Sequence, residues 1–235
     1  MPLSSLKTAV LRSLALSVAL FASIGASAPS QHSSYWNATV TISPEGGHVL
    51  GNPNAKLKLV EYMSYTCPHC AAFEKEGVPV LRLTYVPQGT VSLEVRHLLR
   101  DAIDATIAQL ANCAPPQRFL TTHEAFLHDQ DTWIARAQSL TPAQQQRWNT
   151  GDRVQRMRVI AQDLGFFTIM ENHGVDRVAA DRCLADDALS NRLIGETQAA
   201  EKAGITGTPG FMLNGSVLAG TYGWDTLAPQ LQARM

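Results

Sequence analysis

Apolar and polar residues alternate along Leu57-Lys58-Leu59-Val60-Glu61-Tyr62, the period-two pattern of a strand, and the turn-forming Gly51-Asn52-Pro53-Asn54 stands before it. Val91-Ser92-Leu93-Glu94-Val95-Arg96-His97 reads as a second strand, and Thr39-Val40-Thr41-Ile42 is short and β-prone. Between the two longer strands, Thr66 is placed to cap a helix with Pro68 in its first turn, where a missing N–H costs nothing. Gly77 and Pro79 should disturb that helix near its end. Strand, helix and strand in this order make half of a layered α/β unit.

From about Asp101 to Glu196 the period becomes helical, and three to five helices are expected. Ile103, Ile107, Leu110 and Ala111 fall on one face; Val154, Met157, Ile160, Ala161 and Leu164 form another stripe. Core packing accounts for both stripes. Thr141-Pro142 looks like an N-cap followed by a first-turn proline. Strands then return: Gly210-Phe211-Met212-Leu213 and Ser216-Val217-Leu218-Ala219 flank Asn214-Gly215, a type I′ hairpin signal. A last helix is expected from about Trp224 to Arg234. The plan is an α/β fold, β-α-β, then a helical block, then β-β-α. Residues 29–100 and 197–235 would be its two α/β parts and 101–196 the insertion.

Apolar residues make up 45% of the 235 and charged residues 17%, so most of the chain should fold. A net charge of −1 gives no reason to expect nucleic acid or an anionic membrane as partner. Residues 1–28 read as a signal peptide. Lys7 and Arg12 precede the apolar run 13–22, and the small residues Gly25-Ala26-Ser27-Ala28 follow, with cleavage expected between 26 and 30. The apolar run is shorter than the roughly 20 residues that span a bilayer. Export would allow disulfides to form and persist among the four cysteines.

Two of the cysteines are close neighbours, in Cys67-Pro68-His69-Cys70, directly after a strand and at the start of a helix. Free N–H groups and the positive end of the helix dipole favour a thiolate there. Cys67, nearer the end, is the expected nucleophile; Cys70 lies one turn further in, and His69 can add charge or a hydrogen bond to the Cys67 sulfur. A zinc half-site and a purely structural disulfide are the other readings of this spacing. Zinc would need two further ligands, and no second such pair occurs. Cys113 and Cys183 both fall in the helical block, away from any strand-to-helix junction, and are expected to pair as a structural disulfide; two buried free thiols are the alternative. His97, His123, His128 and His173 are scattered singly and read as surface or core residues. Pro209, just before a strand, would by itself be an ordinary turn proline.

Cys67-Pro68-His69-Cys70 after a strand, Gly207-Thr208-Pro209 before a hairpin, and a helical block between two α/β parts together resemble the DsbA family of periplasmic oxidoreductases. The resemblance covers nearly the whole chain after the signal and implies a thioredoxin-like fold with an inserted all-helical block. It implies that Cys67 and Cys70 are the redox pair. It also implies that Pro209 is cis against their sulfurs and that Thr208 offers backbone hydrogen bonds to a bound peptide. Glu61, six before Cys67, and Glu74, seven after it, match the family's acidic residues near the pair. Reduced or unfolded exported proteins would be the substrates, a DsbB-type membrane quinone-linked oxidase the partner, and no cofactor or metal is expected. Two features depart from the family's strong oxidants. Threonine rather than valine precedes Pro209, as in the isomerase branch, and the second strand has Val95-Arg96-His97 where a lysine would be expected. Reductase or isomerase activity is the nearer alternative; a non-catalytic chaperone or metal-binding module of the same fold is the more distant one.

Overall fold

The computed structural model describes residues 35–235; the signal-peptide segment 1–28 lies outside them. A six-stranded mixed sheet has the order β1-β2-β4-β3-β5-β6. Its members are β1 (Val40–Ile42), β2 (His48–Leu50), β3 (Leu57–Met63), β4 (Val91–His97), β5 (Gly210–Leu213) and β6 (Ser216–Val217). β3 and β4 run parallel, joined through α1 (Pro68–Glu76), whereas β5 pairs antiparallel with β3. Asn214 and Gly215 have φ of 49° and 81°, the two left-handed residues that a type I′ turn requires between β5 and β6.

Alternation along β3 sorts its side chains onto two faces. Leu57 and Leu59 enter a core shared with Phe73, Phe211, Leu227 and Leu231, which α1 and α11 (Trp224–Gln232) help to form. Val60 and Tyr62 point to the opposite face and meet Leu98, Ala200 and Ile205. Glu61 therefore lies on the face covered by α1, in line with Leu59 and Met63, and only 3% of it is exposed.

Between β4 and β5 the chain forms eight helices, not three to five. They are α3 (Ala102–Ala111), α4 (Pro116–His128), α5 (Gln130–Gln138), α6 (Pro142–Trp148), α7 (Arg153–Leu164), α8 (Phe166–Asn172), α9 (Arg177–Leu184) and α10 (Asp187–Lys202). Periodicity alone merges neighbours that capping residues divide. Asp152, Asp176 and Asp186 each accept a backbone N–H at a helix start, and Gly165 ends α7 in a left-handed conformation. The helical segment buries its own core, including Phe126, Trp133, Ile160 and Phe166, which continues into Met63, Tyr65, Cys67 and Cys70.

Two local expectations need correction, and one strand has no counterpart among them. Strand β2 was not apparent in the sequence, because three wholly buried residues are too few to show alternation. Thr66 is not the cap of α1: Cys67 occupies that position in extended conformation, and the Thr66 hydroxyl donates instead to Asp101 at 2.7 Å. The segment after Gly77 is not a break but a short continuation, α2 (Val78–Val80), with a π-helical turn Leu81–Tyr85 behind it. Among the described residues no helix is long and apolar enough to cross a membrane.

Candidate active site

Cys67 stands between β3 and α1, with Pro68 as the first helical residue. Its sulfur lies 3.1 Å from the carbonyl oxygen of Thr208, and the Thr208–Pro209 peptide bond is cis. Pairing of Tyr62 with Gly210 and of Glu61 with Phe211 brings the Thr208–Pro209 segment to the end of β3. Residues about 140 positions apart in sequence thus face one another by strand register.

The two thiols are pushed in opposite directions. A hydrogen bond from Cys70 is the main cause that draws the Cys67 thiol down to about 5; the Thr208 side chain and the backbone N–H groups of Cys70 and His69 assist, against burial. Cys70, 1% exposed, is pushed well up by burial, with its hydrogen bond to Cys67 and the charge of Glu61 adding to the effect. Of the two thiols Cys67 is the more readily ionised, and Cys70 is the one that holds its proton. His69 acts here through its backbone N–H; among the described residues its imidazole has no hydrogen-bond partner.

Both glutamates are buried. Burial, then the charges of Glu74 and Cys67, raise the Glu61 carboxyl well above the ordinary range. Glu74 reaches His123 on α4, Oε2 to Nε2 at 3.4 Å, and the other ring nitrogen of His123 is 2.9 Å from the Tyr65 hydroxyl. His97 is likewise buried and bonds to Glu196 at 2.8 Å. Of the four single histidines, His97 and His123 are core members, His128 is exposed, and His173 is half-buried, with Nδ1 2.9 Å from the Ile169 carbonyl. His123 thus has a contact to Glu74 that its isolated place in the sequence does not reveal.

Two further residues hold the loop that carries Cys67. Asp104, 1% exposed, accepts from Ser64 Oγ at 2.6 Å and from the N–H groups of Tyr65 and Arg100 at 2.8 and 2.9 Å. Burial pushes its carboxyl up to about 6 despite these bonds. Gln130, at the start of α5, donates to the carbonyls of Tyr65 and Cys67 at 2.6 and 3.0 Å. Asp104 could have been suspected as the third residue after the capping Asp101; nothing in the sequence around Gln130 marks it.

Two cavities flank His69. One of about 440 Å³ is lined by Cys67, Pro68, His69, Leu98, Arg100 and residues 206–208; the other, of about 380 Å³, lies on the far side of His69, against Glu76, Tyr222, Trp224 and Asp225. Cys113, just past α3, and Cys183 in α9 are joined in a disulfide with Cα atoms 5.6 Å apart, inside the helical segment. Among the described residues no group of three or more His, Cys, Asp or Glu side chains converges to hold a metal.

Residues 43–233 match the family described as Thioredoxin. The crystal structure of a protein-disulfide isomerase from Novosphingobium aromaticivorans is 47% identical, with a TM-score of 0.76 over 80% of this chain and 96% of that one. Wolbachia pipientis alpha-DsbA1 shares the fold at 19% identity and a TM-score of 0.60, covering 82% of this chain and 92% of that one. A Rickettsia bellii relative, named by inference as a protein-disulfide oxidoreductase, is 29% identical over 73% of this chain. The chain spans 58% of that relative's length.

Proposed function

Because the chain belongs to the thioredoxin family, we propose that it is an exported thiol–disulfide oxidoreductase that donates the Cys67–Cys70 disulfide to reduced or unfolded exported proteins. The observation that carries the reading is the split between a Cys67 thiol drawn down to about 5 and a buried Cys70 pushed up, opposite Thr208–Pro209. A stabilised Cys67 thiolate stabilises the reduced protein, and so makes the disulfide form the stronger oxidant.

In the forward reaction a substrate thiolate attacks the Cys67 sulfur, and the electron pair of the Cys67–Cys70 bond passes to Cys70, which takes a proton. A second thiolate of the substrate then attacks its own sulfur in the mixed disulfide, and Cys67 leaves as thiolate. The substrate has lost two electrons and gained a disulfide; the Cys67–Cys70 pair holds them. Glu61, buried and carrying its proton more firmly than an ordinary carboxyl, is the group suited to supply Cys70. A quinone-linked membrane oxidase of the DsbB type would reoxidise the pair in the periplasm. In this reading 29–100 and 197–235 carry the chemistry, and 101–196 is an insertion that covers it.

Isomerase action is the second reading, favoured by Thr208 before Pro209 and by the name of the Novosphingobium relative. Equilibration with glutathione buffers separates the two. A Cys67–Cys70 potential more oxidising than about −180 mV, together with stoichiometric oxidation of reduced ribonuclease, supports the oxidase. A more reducing potential, with activity only on scrambled ribonuclease, supports the isomerase.

A further inference from the structure

The two cavities that flank His69 differ in charge. Among the described residues Arg100 is the only lysine, arginine or carboxylate side chain lining the first. It is exposed, and among the described residues its guanidinium has no ion pair or hydrogen bond. Its backbone is nevertheless fixed, because its N–H donates to the buried Asp104, which also binds the loop leading to Cys67. Glu76 and Asp225 line the second cavity, both exposed, beside an exposed Tyr222. Neither carboxylate has an ion-pair partner among the described residues; Asp225 accepts only from the N–H of Thr226. His69 lines both cavities and Cys67 only the first, so the path past His69 is the one by which an extended peptide with its cysteine at Cys67 would reach both.

We propose that this groove is electrically polar and selects the order of charges in its substrate: an acidic residue on the side of the cysteine that enters the Arg100 cavity, and a basic residue on the side that meets Glu76 and Asp225. The inference rests on the thiol–disulfide exchange reading and names the substrate class for it. Exposed charge pairs are individually weak and are screened by salt, so the preference acts on kcat/KM by small factors and fades as ionic strength rises. Such a bias sorts substrates without closing the groove to any of them.

Three reduced dithiol peptides of equal length test it: a neutral one, one with glutamate before and lysine after the attacking cysteine, and one with that order reversed. With the oxidised full-length protein at low salt, one charged order should exceed the other by roughly three- to tenfold in kcat/KM, with the neutral peptide between them. At about 0.5 M salt the three should converge. R100E should shrink or invert the preference, as should the double change Glu76→Lys with Asp225→Lys, when each variant's rates on the charged peptides are taken relative to its own rate on the neutral one. Equal rates for all three peptides at low salt, or a preference untouched by either charge reversal, would overturn the proposal and leave the oxidoreductase reading standing. No turnover of the neutral peptide by the unmodified protein would remove both.

Discussion

The Cys67 sulfur lies against the Thr208 carbonyl oxygen at 3.1 Å, and the cysteine that draws its thiol down sits one helical turn further along α1. Thiolate absorbance of the reduced protein should therefore show an inflection near pH 5. In Cys70→Ala, which lacks the leading hydrogen bond, that inflection should move upward, and the remaining thiol should accumulate mixed disulfides with added substrate. An unchanged inflection in Cys70→Ala would contradict the assigned cause.

Gln130→Leu should destabilise the fold by about 2–3 kcal/mol, because two buried carbonyls, of Tyr65 and Cys67, lose a donor that water cannot replace. Urea unfolding measures it, with the exposed Gln146→Leu as control, expected to stay within about 0.5 kcal/mol. Parity of the two variants would mean that the loop carrying Cys67 is held by other contacts.

His48, 3% exposed and stacked on Phe119 at 3.6 Å, is held down to about 3, chiefly by burial and then by the charges of His97 and Arg192. Between about pH 6.5 and 3 the unfolded chain binds a proton there and the folded chain does not, so stability falls as pH falls. The slope is about 1.4 kcal/mol per pH unit at most. Asp104, pushed up to about 6, works in the opposite direction: the folded protein takes that proton first, and stability rises as pH drops through 6. His48→Phe keeps the ring stack and the Asp104 contribution. Subtracting its urea stability from that of the unmodified protein at pH 7, 6, 5 and 4 isolates His48. A difference that does not change with pH would show that His48 does not titrate in this way.

Cys113→Ala with Cys183→Ala opens a 70-residue loop and should cost up to about 4 kcal/mol in the chain-entropy account. The Cys67 inflection should not move. A loss of thiolate character at Cys67 in that double variant would link the two pairs, which nothing in their separate positions requires.

The frame of this fold was readable because β3, β4, α11 and the Asn214–Gly215 hairpin each carry a strong local pattern. Strand β2 was too short for alternation to show, and the helical segment was under-divided because its caps, not its apolar stripes, mark the boundaries. Cys67 and Cys70 announce themselves by spacing and by their place after a strand. Glu61 could be placed beside them only through resemblance, since alternation says which face a residue takes but not what covers that face. Asp104, Gln130 and His123 stayed hidden for one physical reason. Each serves the site through a contact that bridges between about 35 and 65 positions, and such contacts leave no periodic trace.

Strand register joins Cys67 to Thr208 across 141 positions, so the site is assembled from an early and a late part of the chain. During synthesis from the N-terminus, at about 5–20 residues per second, the reactive cysteine precedes its cover by on the order of ten seconds. In that interval strand β3 lacks its β5 neighbour, and Cys67 lacks both the Thr208 side chain and the groove walls at 206–208. A nascent chain is thus a bare dithiol, and truncation anywhere before Gly210 leaves no β5 to place Thr208 against Cys67. Only when residues 206–208 and strand β5 have followed does Cys67 gain the wall that faces it.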